Sequence, residues 1–212
     1  MRRAGPHHKR ALIDAVSQVL RLEASLAKIQ THGMLDCDLF RLMLLDLGLN
    51  EAEIELNLPE LRRAAEESYL ANGPADLRTC VCPGVVPLLQ TLAAGGIPTT
   101  LVTGNLSAIG WRKIELAGLR SYFAAGAFSE QASTRAGLAK ATVADAKSRN
   151  LITEGALVSL IGDHPNDVRA ARANAIQAIA TATGPSSFEE LQQENPDILV
   201  HDLSELRMEQ LR

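Results

Sequence analysis

A chain of 212 residues with 46% hydrophobic and 22% charged residues is ordinary globular material, enough for one medium domain or a core with a smaller insert. The formal net charge of −4 gives no electrostatic footprint for nucleic acid, no apolar run approaches the ~20 residues that span a bilayer, and the N-terminus lacks the apolar stretch of a secretory signal. Cys37, Cys80 and Cys82 are odd in number and too few for a disulfide framework; Cys80-Val81-Cys82 has no second pair at zinc-like spacing, so reduced thiols in a cytoplasmic protein are expected.

In chain order, everything before residue 75 reads as helix. Ala11 to Leu22 sets Leu12, Val16, Val19 and Leu20 on one face, Leu39 to Leu47 repeats the pattern, Gly48 ends it, and Glu51 to Leu70 is a long charged amphipathic stretch. No strand is expected among these residues. After Asn72-Gly73-Pro74, apolar strands alternate with helices, the signature of a parallel sheet covered on both faces. Helix is expected over Pro83–Ala94, strand over Ile97–Thr103, helix over Ala108–Ala117, a short strand over Gly126–Ser129, and helix over Gly137–Arg149. Strands at Leu157–Ile161, Ile176–Thr181 and Asp197–Val200 complete the set. The reading is a helical subdomain, residues 1–75, followed by a doubly wound α/β core, residues 76–212.

The most informative segment is LVSLIGDHPNDVRAARANA, residues 157–175. An apolar strand ends at Gly162-Asp163, His164-Pro165-Asn166 turn the chain, and Asp167 opens an amphipathic helix. Ligands bind at the carboxyl ends of strands in such sheets, and two carboxylates on a short turn suit a hard cation that keeps some waters, Mg²⁺ above all. A second turn, Leu101-Val102-Thr103-Gly104-Asn105, also joins a strand to a helix. Gly104 lets backbone approach a ligand, the following N–H groups would face an anion, and the Thr103 hydroxyl can donate to a phosphate oxygen. Arg135, in the polar connection after Ser129–Thr134, is a candidate cation for a phosphate and a nearby carboxylate, with Lys113 and Lys140 as competitors. An anion cradle on one strand end and metal ligands on another is the layout phosphoryl transfer needs.

Thr103-Gly104-Asn105, Arg135 and Gly162-Asp163-His164-Pro165-Asn166-Asp167 resemble the second, third and fourth motifs of the haloacid dehalogenase-like hydrolase superfamily, and the helices ahead of the core resemble the cap of its phosphoglycolate-phosphatase-like branch. The resemblance covers essentially the whole chain. It implies a Rossmann-like core under an α-helical cap and Mg²⁺-dependent hydrolysis of a small phosphorylated metabolite through an aspartyl-phosphate, with neither nucleic acid nor membrane as partner. It also implies roles: Asp163 on the metal and Asp167 supporting it, Thr103, Gly104 and Asn105 on the phosphoryl group, and Arg135 as the family's Lys or Arg.

The resemblance breaks at the family's first motif, an apolar strand ending in Asp-x-Asp that carries the nucleophile and the general acid/base. The only Asp-x-Asp here is Asp36-Cys37-Asp38. Its leader, Ile29-Gln30-Thr31-His32-Gly33, is no apolar strand, so the motif reads as a cap turn. Met1 to Leu12 resembles the linker that follows the first motif, which makes an upstream start of a longer protein the expectation. The chain as printed is expected to be inactive. In relatives the missing strand lies between those ending at Thr103 and Gly162, so its loss should leave facing strand edges unpaired. Other readings are a haloacid dehalogenase, against which the paired acids Asp163 and Asp167 argue, and a non-catalytic phosphate-binding or scaffold protein.

The remaining polar residues read plainly. His164 is a turn residue, His7 and His8 a linker pair without a role, and His32 and His201 are isolated. Trp111 reads as packing, and Arg41, Arg62 and Arg63 as a solvated helix face. Substrate identity and oligomeric state are not encoded in any recognisable pattern.

Overall fold

Apolar spacing and capping chemistry explain the helices of the first third. α1 spans His7–Leu20, beginning four residues before the apolar periodicity and stopping where Arg21 turns left-handed and donates its N–H to the Ser17 carbonyl. α2 spans Asp36–Asp46, with Asp36 and Asp38 in its first turn, where carboxylates suit the helix dipole. α3 spans Glu51–Asn72; the Asn50 side chain accepts from the N–H groups of Ala52 and Glu53, and Glu53 returns the bond to the Asn50 N–H. The computed structural model describes residues 5–211, and among the described residues before 75 there is no strand. Ala11, Leu12, Ala15 and Val16 of α1 are buried in one cluster with Ile54, Leu58 and Leu61 of α3 and Phe40 and Met43 of α2.

The rest is α/β. α4 (Val85–Ala94) leads to β1 (Thr99–Val102), α5 (Ser107–Leu116), β2 (Phe123–Ala127), α6 (Arg135–Ser148), β3 (Ser159–Gly162), α7 (Pro165–Ala173), β4 (Gln177–Thr181), α8 (Phe188–Gln193) and β5 (Ile198–Val200). Every observed strand pairing is parallel. The second strand lies earlier than its sequence suggests. Phe-Ala-Ala-Gly-Ala carries little strand propensity, yet its small side chains make room: a Cβ on Gly126 would meet Phe128 at 2.8 Å and Trp111 at 3.1 Å. Ser129, expected at the end of that strand, instead opens a 3₁₀ turn. Leu157, expected to open β3, lies outside the strand and is 73% exposed.

The expected gap in the sheet is present. β1 pairs only with β2, and β3, β4 and β5 form a separate sheet, so one edge of β1 and one edge of β3 have no strand beside them among the described residues. Both strands are half-buried along their whole length, whereas β4 is buried at four of its five positions. Between them lies a cavity of about 630 Å³, walled by Thr99–Val102 and Ser159–Ile161 and roofed by side chains of α4 and α6.

The packing separates buried from exposed leucines on the helices. Leu12→Ala removes a fully buried side chain from the α1–α3 contact and is expected to destabilise by about 2–5 kcal/mol in urea unfolding. Leu56→Ala, at a side chain 79% exposed, should stay within about 0.5 kcal/mol of the parent. Equal midpoints for the two variants would refute this packing.

Candidate functional site

The two chemical turns sit at strand ends and are joined by one short piece of the helical region. The Thr103 N–H extends the β1–β2 ladder by donating to the Ala127 carbonyl (3.0 Å). At the end of β3 the chain turns through His164, whose Nδ1 accepts from the Asn166 N–H (3.1 Å) and so caps α7; Asp167 is the third residue of that helix rather than its first. Gly33 and Met34 bridge the turns. Asn166 Nδ2 donates to the Gly33 carbonyl (3.2 Å), and a Cβ on Gly33 would lie 2.3 Å from the His164 ring. One residue on, the Met34 carbonyl lies 2.5 Å from where a Gly104 Cβ would be. Gly33 has φ +73, so the turn that makes both approaches strongly favours glycine. The acidic turn and the Thr103 turn are thus spanned by two consecutive residues.

Three charged side chains meet beneath the acidic turn. Arg135, expected in a connection ahead of the helix, is the first residue of α6, and its Nε lies 3.2 Å from Asp167 Oδ1, both side chains largely buried. The N–H does not point at that oxygen, so Nε is a buried donor without an acceptor among the described residues. Burial pushes the Asp167 carboxyl above the usual range; Arg135 opposes that and Asp163 adds to it. Burial likewise holds His164 below the ordinary histidine value, against the pull of Asp167 and Asp163. Asp163 and Asp167 are seated on glycine backbone: a Cβ on Gly184 would be 2.3 Å from Asp163 Cγ, and one on Gly162 would be 2.3 Å from Asp167 Cβ. Of the competing cations, Lys140 is exposed and Lys113 is buried on the helical side.

The donor set fits Mg²⁺ in part. Among the described residues no group of three or more His, Cys, Asp and Glu side chains is placed to enclose a metal. Two carboxylates fixed on glycine backbone, one with its pKa raised by burial, nevertheless match an ion bound through one or two carboxylates plus waters.

The start of α5 differs from its sequence expectation. Its N–H groups do not await an anion, because carboxylates of the protein already hold them. Leu106 donates to Asp36 Oδ2 (2.8 Å), Ser107 to Glu130 Oε1 (3.1 Å) and Ala108 to Glu66 Oε1 (2.9 Å). Asn105 also faces inward, its Oδ1 accepting from Lys113 Nζ (2.7 Å), while its N–H donates to Thr103 Oγ1 (3.3 Å). The Gly104 carbonyl is likewise taken, accepting from the Asp36 N–H (2.7 Å).

Asp36, the first acid of the only Asp-x-Asp, is 1% exposed and hydrogen-bonded within the protein. Its N–H donates to the Gly104 carbonyl (2.7 Å), and its Oδ2 takes both the Leu106 N–H and His8 Nε2 (2.9 Å). His8 therefore has a partner 28 residues away, which no local spacing could reveal. His7 lies 3.0 Å from the Asn72 carbonyl, and His201 stacks on Phe188. Trp111 packs against Phe128 and under Arg120. Arg41 and Arg63 pair with glutamates on exposed helix faces, as expected. Arg62 departs from that pattern: its Nε is buried, and its charge acts on the Cys37 thiol.

The model of one family, described as haloacid dehalogenase-like hydrolase, matches residues 7–174. A search of curated proteins finds no matching relative. Among solved structures, a predicted phosphatase from Clostridium acetobutylicum superposes with a TM-score of 0.65 at 19% identity, over 95% of this chain and 88% of its own. β-Phosphoglucomutase from Clostridium difficile does so with 0.67 at 13% identity, over 96% and 86%. A predicted phosphoglycolate phosphatase from Haemophilus somnus gives 0.63 at 17% identity, over 94% and 87%. At these identities the likeness establishes the fold.

Lys113 provides a test of the buried network behind the site. It is 8% exposed, and burial lowers its pKa to about 8 from 10.5, opposed by Asp36. Between those values the unfolded chain keeps a proton that the folded chain has released, so this group's contribution to stability rises with pH from about 8 to 10.5. Below pH 8 the folded protein bears the cost of a desolvated ammonium. Lys113→Met should flatten this rise, which is on the order of 3 kcal/mol when complete. Urea unfolding of both proteins from pH 7 to 10.5 checks it; parallel curves would contradict the assignment.

Proposed function

The chain belongs to the haloacid dehalogenase-like hydrolase family, and from that membership we propose that it carries the phosphate- and metal-holding part of a Mg²⁺-dependent phosphomonoesterase acting on a small phosphorylated metabolite. The observation that carries this reading is the buried contact of Arg135 with Asp167, close to Asp163 and linked to the Thr103 turn through Gly33 and Met34. Asp163 and Asp167 would hold Mg²⁺. When bound, that ion would neutralise charge on the phosphoryl group. The Thr103 hydroxyl and the Gly104 backbone would donate to phosphoryl oxygens, and the unpartnered Arg135 Nε would add a charged donor. Asn105 would act from behind, holding the loop through its bonds to Lys113 and Thr103. The helical region before residue 75 would serve as the cap, its Gly33–Asp36 turn resting on both motif turns.

No residue of the chain stands in for the attacking carboxylate in this reading. Asp36 is buried against His8 and the Leu106 N–H, so the 212-residue chain alone is proposed to be inactive. That same observation favours a second reading, a non-catalytic phosphate-binding protein. A dehalogenase is disfavoured by the paired acids Asp163 and Asp167.

Hydrolysis of p-nitrophenyl phosphate with Mg²⁺ separates these readings. The 212-residue chain should show no turnover, whereas a chain with an added N-terminal strand ending in Asp-x-Asp should hydrolyse the ester. Thr103→Val in that extended chain should lower the rate by roughly 10²-fold or more. Inactivity of both chains would favour the binding protein. Turnover by the 212-residue chain that disappears in Asp36→Asn or Asp38→Asn would overturn the assignment of the missing nucleophile.

A further inference from the structure

We infer that Lys113 is a positioning residue for the Thr103 turn: its buried ammonium fixes Asn105 and offsets the carboxylates around the turn, so the proton on Lys113 governs the affinity of a tetrahedral dianion there. The inference rests on the reading of that turn as a phosphate site and deepens it by naming how its affinity is regulated. The loop geometry supports it. The Asn105 N–H donates to Thr103 Oγ1 (3.3 Å), its carbonyl accepts from the Ser129 N–H (2.9 Å), and its Oδ1 accepts from Lys113 Nζ (2.7 Å). The bond to Thr103 uses that hydroxyl as an acceptor, so its single hydrogen is not spent on Asn105. Lys113, two helical turns along α5, thus holds the residue that holds Thr103.

The charge balance points the same way. The turn runs into three carboxylates, Asp36, Glu130 and Glu66, which hold the N–H groups of Leu106, Ser107 and Ala108. Each of them repels an anion at Thr103. Lys113 is the buried cation among these groups. Asp36 of α2 acts on it electrostatically, the Tyr69 ring of α3 lies 5.7 Å from Nζ, and His8 of α1 shares Asp36. On its own helix, Arg112 is paired with Glu115 (3.6 Å). Asp36 commits Oδ2 to Leu106 and His8, so among the described residues Nζ has one hydrogen bond, to a neutral amide oxygen, and no salt bridge. An ammonium with three donors is under-compensated by that environment. A dianion held by Thr103 supplies the missing negative charge, and burial leaves their attraction little screened. Burial also lowers the Lys113 pKa to about 8, while Tyr69, pushed up to about 12, stays neutral across the same range. Below pH 8 the folded protein therefore keeps the charge that attracts the dianion, and above it the charge is shed.

The probe is inorganic sulfate, a dianion over the whole range, titrated calorimetrically into the 212-residue protein from about pH 6.5 to 9.5 at constant ionic strength. Its Kd is expected to rise roughly ten-fold as pH passes through 8. Linkage is reciprocal, so bound sulfate should raise the midpoint of the Lys113 Cε titration, read by NMR, by about one pH unit for each ten-fold of affinity. Both readouts use the unaltered protein, so neither depends on a variant folding. Lys113→Met should bind sulfate as weakly at every pH as the parent does at high pH, with no inflection. Lys140→Met, which removes an exposed lysine, should leave Kd and profile unchanged. Thr103→Val should weaken binding throughout. If sulfate gives no saturable binding, or Thr103→Val binds it equally well, the anion reading of the turn falls and this inference with it. If Thr103→Val weakens binding but the parent profile is flat, the Lys113 midpoint does not move, or Lys113→Met matches the parent at low pH, this inference alone is overturned. An equal loss in Lys140→Met would also overturn it, since net charge then accounts for the effect.

Discussion

A parallel strand inside a sheet has its backbone groups satisfied only by neighbours on both sides, and β1 and β3 have one each. The rest of the structure follows from that constraint. The strands keep the spacing of a doubly wound layer because helices cover its two faces, and they do not close on each other. What remains is an apolar slot in the middle of the core, at the position where such a fold would ordinarily be best packed. The turns at the carboxyl ends of the two strands are instead spanned by Gly33 and Met34 of the helical region.

Electrostatics at that rim are balanced within the protein. Asp167 is buried enough for its carboxyl to resist ionising, and the Arg135 guanidinium beside it works in the other direction. The pair is poorly aligned for a hydrogen bond, which leaves a buried Arg donor aimed elsewhere. A buried ion pair of this kind is weak evidence of stabilisation, because desolvation offsets much of the attraction.

The helical region is bound to the core by polar contacts as much as by apolar ones. Asp36 accepts from His8 and from Leu106, while its own N–H reaches Gly104. Glu66 and Glu130 hold the next two N–H groups of α5. A helix start that could have bound an external anion is therefore used to dock the helices, which moves the candidate anion site back onto Thr103 and Gly104. Lys113, buried against Asn105 and facing the Tyr69 ring, supplies the positive charge among these acids.

Much of this was readable one-dimensionally. Apolar periodicity located the helices before residue 75 and the alternating α/β units after it, because burial imposes a period that survives in the sequence. The turn at Asp163–Asp167 was recognisable because a strand end, a proline and a helix start leave local marks. The break at the first motif was likewise legible, as a pattern with no matching residues, and one edge each of β1 and β3 has no strand beside it among the described residues. Boundaries were less so: β2 is made of alanine and glycine, and only the rings of Phe128 and Trp111 above it explain why small residues belong there. Pairings across many residues lay beyond sequence altogether. His8 with Asp36, Asn166 with Gly33, and three carboxylates on the start of α5 depend on how distant segments pack, since a hydrogen bond between residues dozens apart imposes no spacing on either. Composition and pattern decided which elements form; tertiary packing alone decided which donors stay free to meet a ligand.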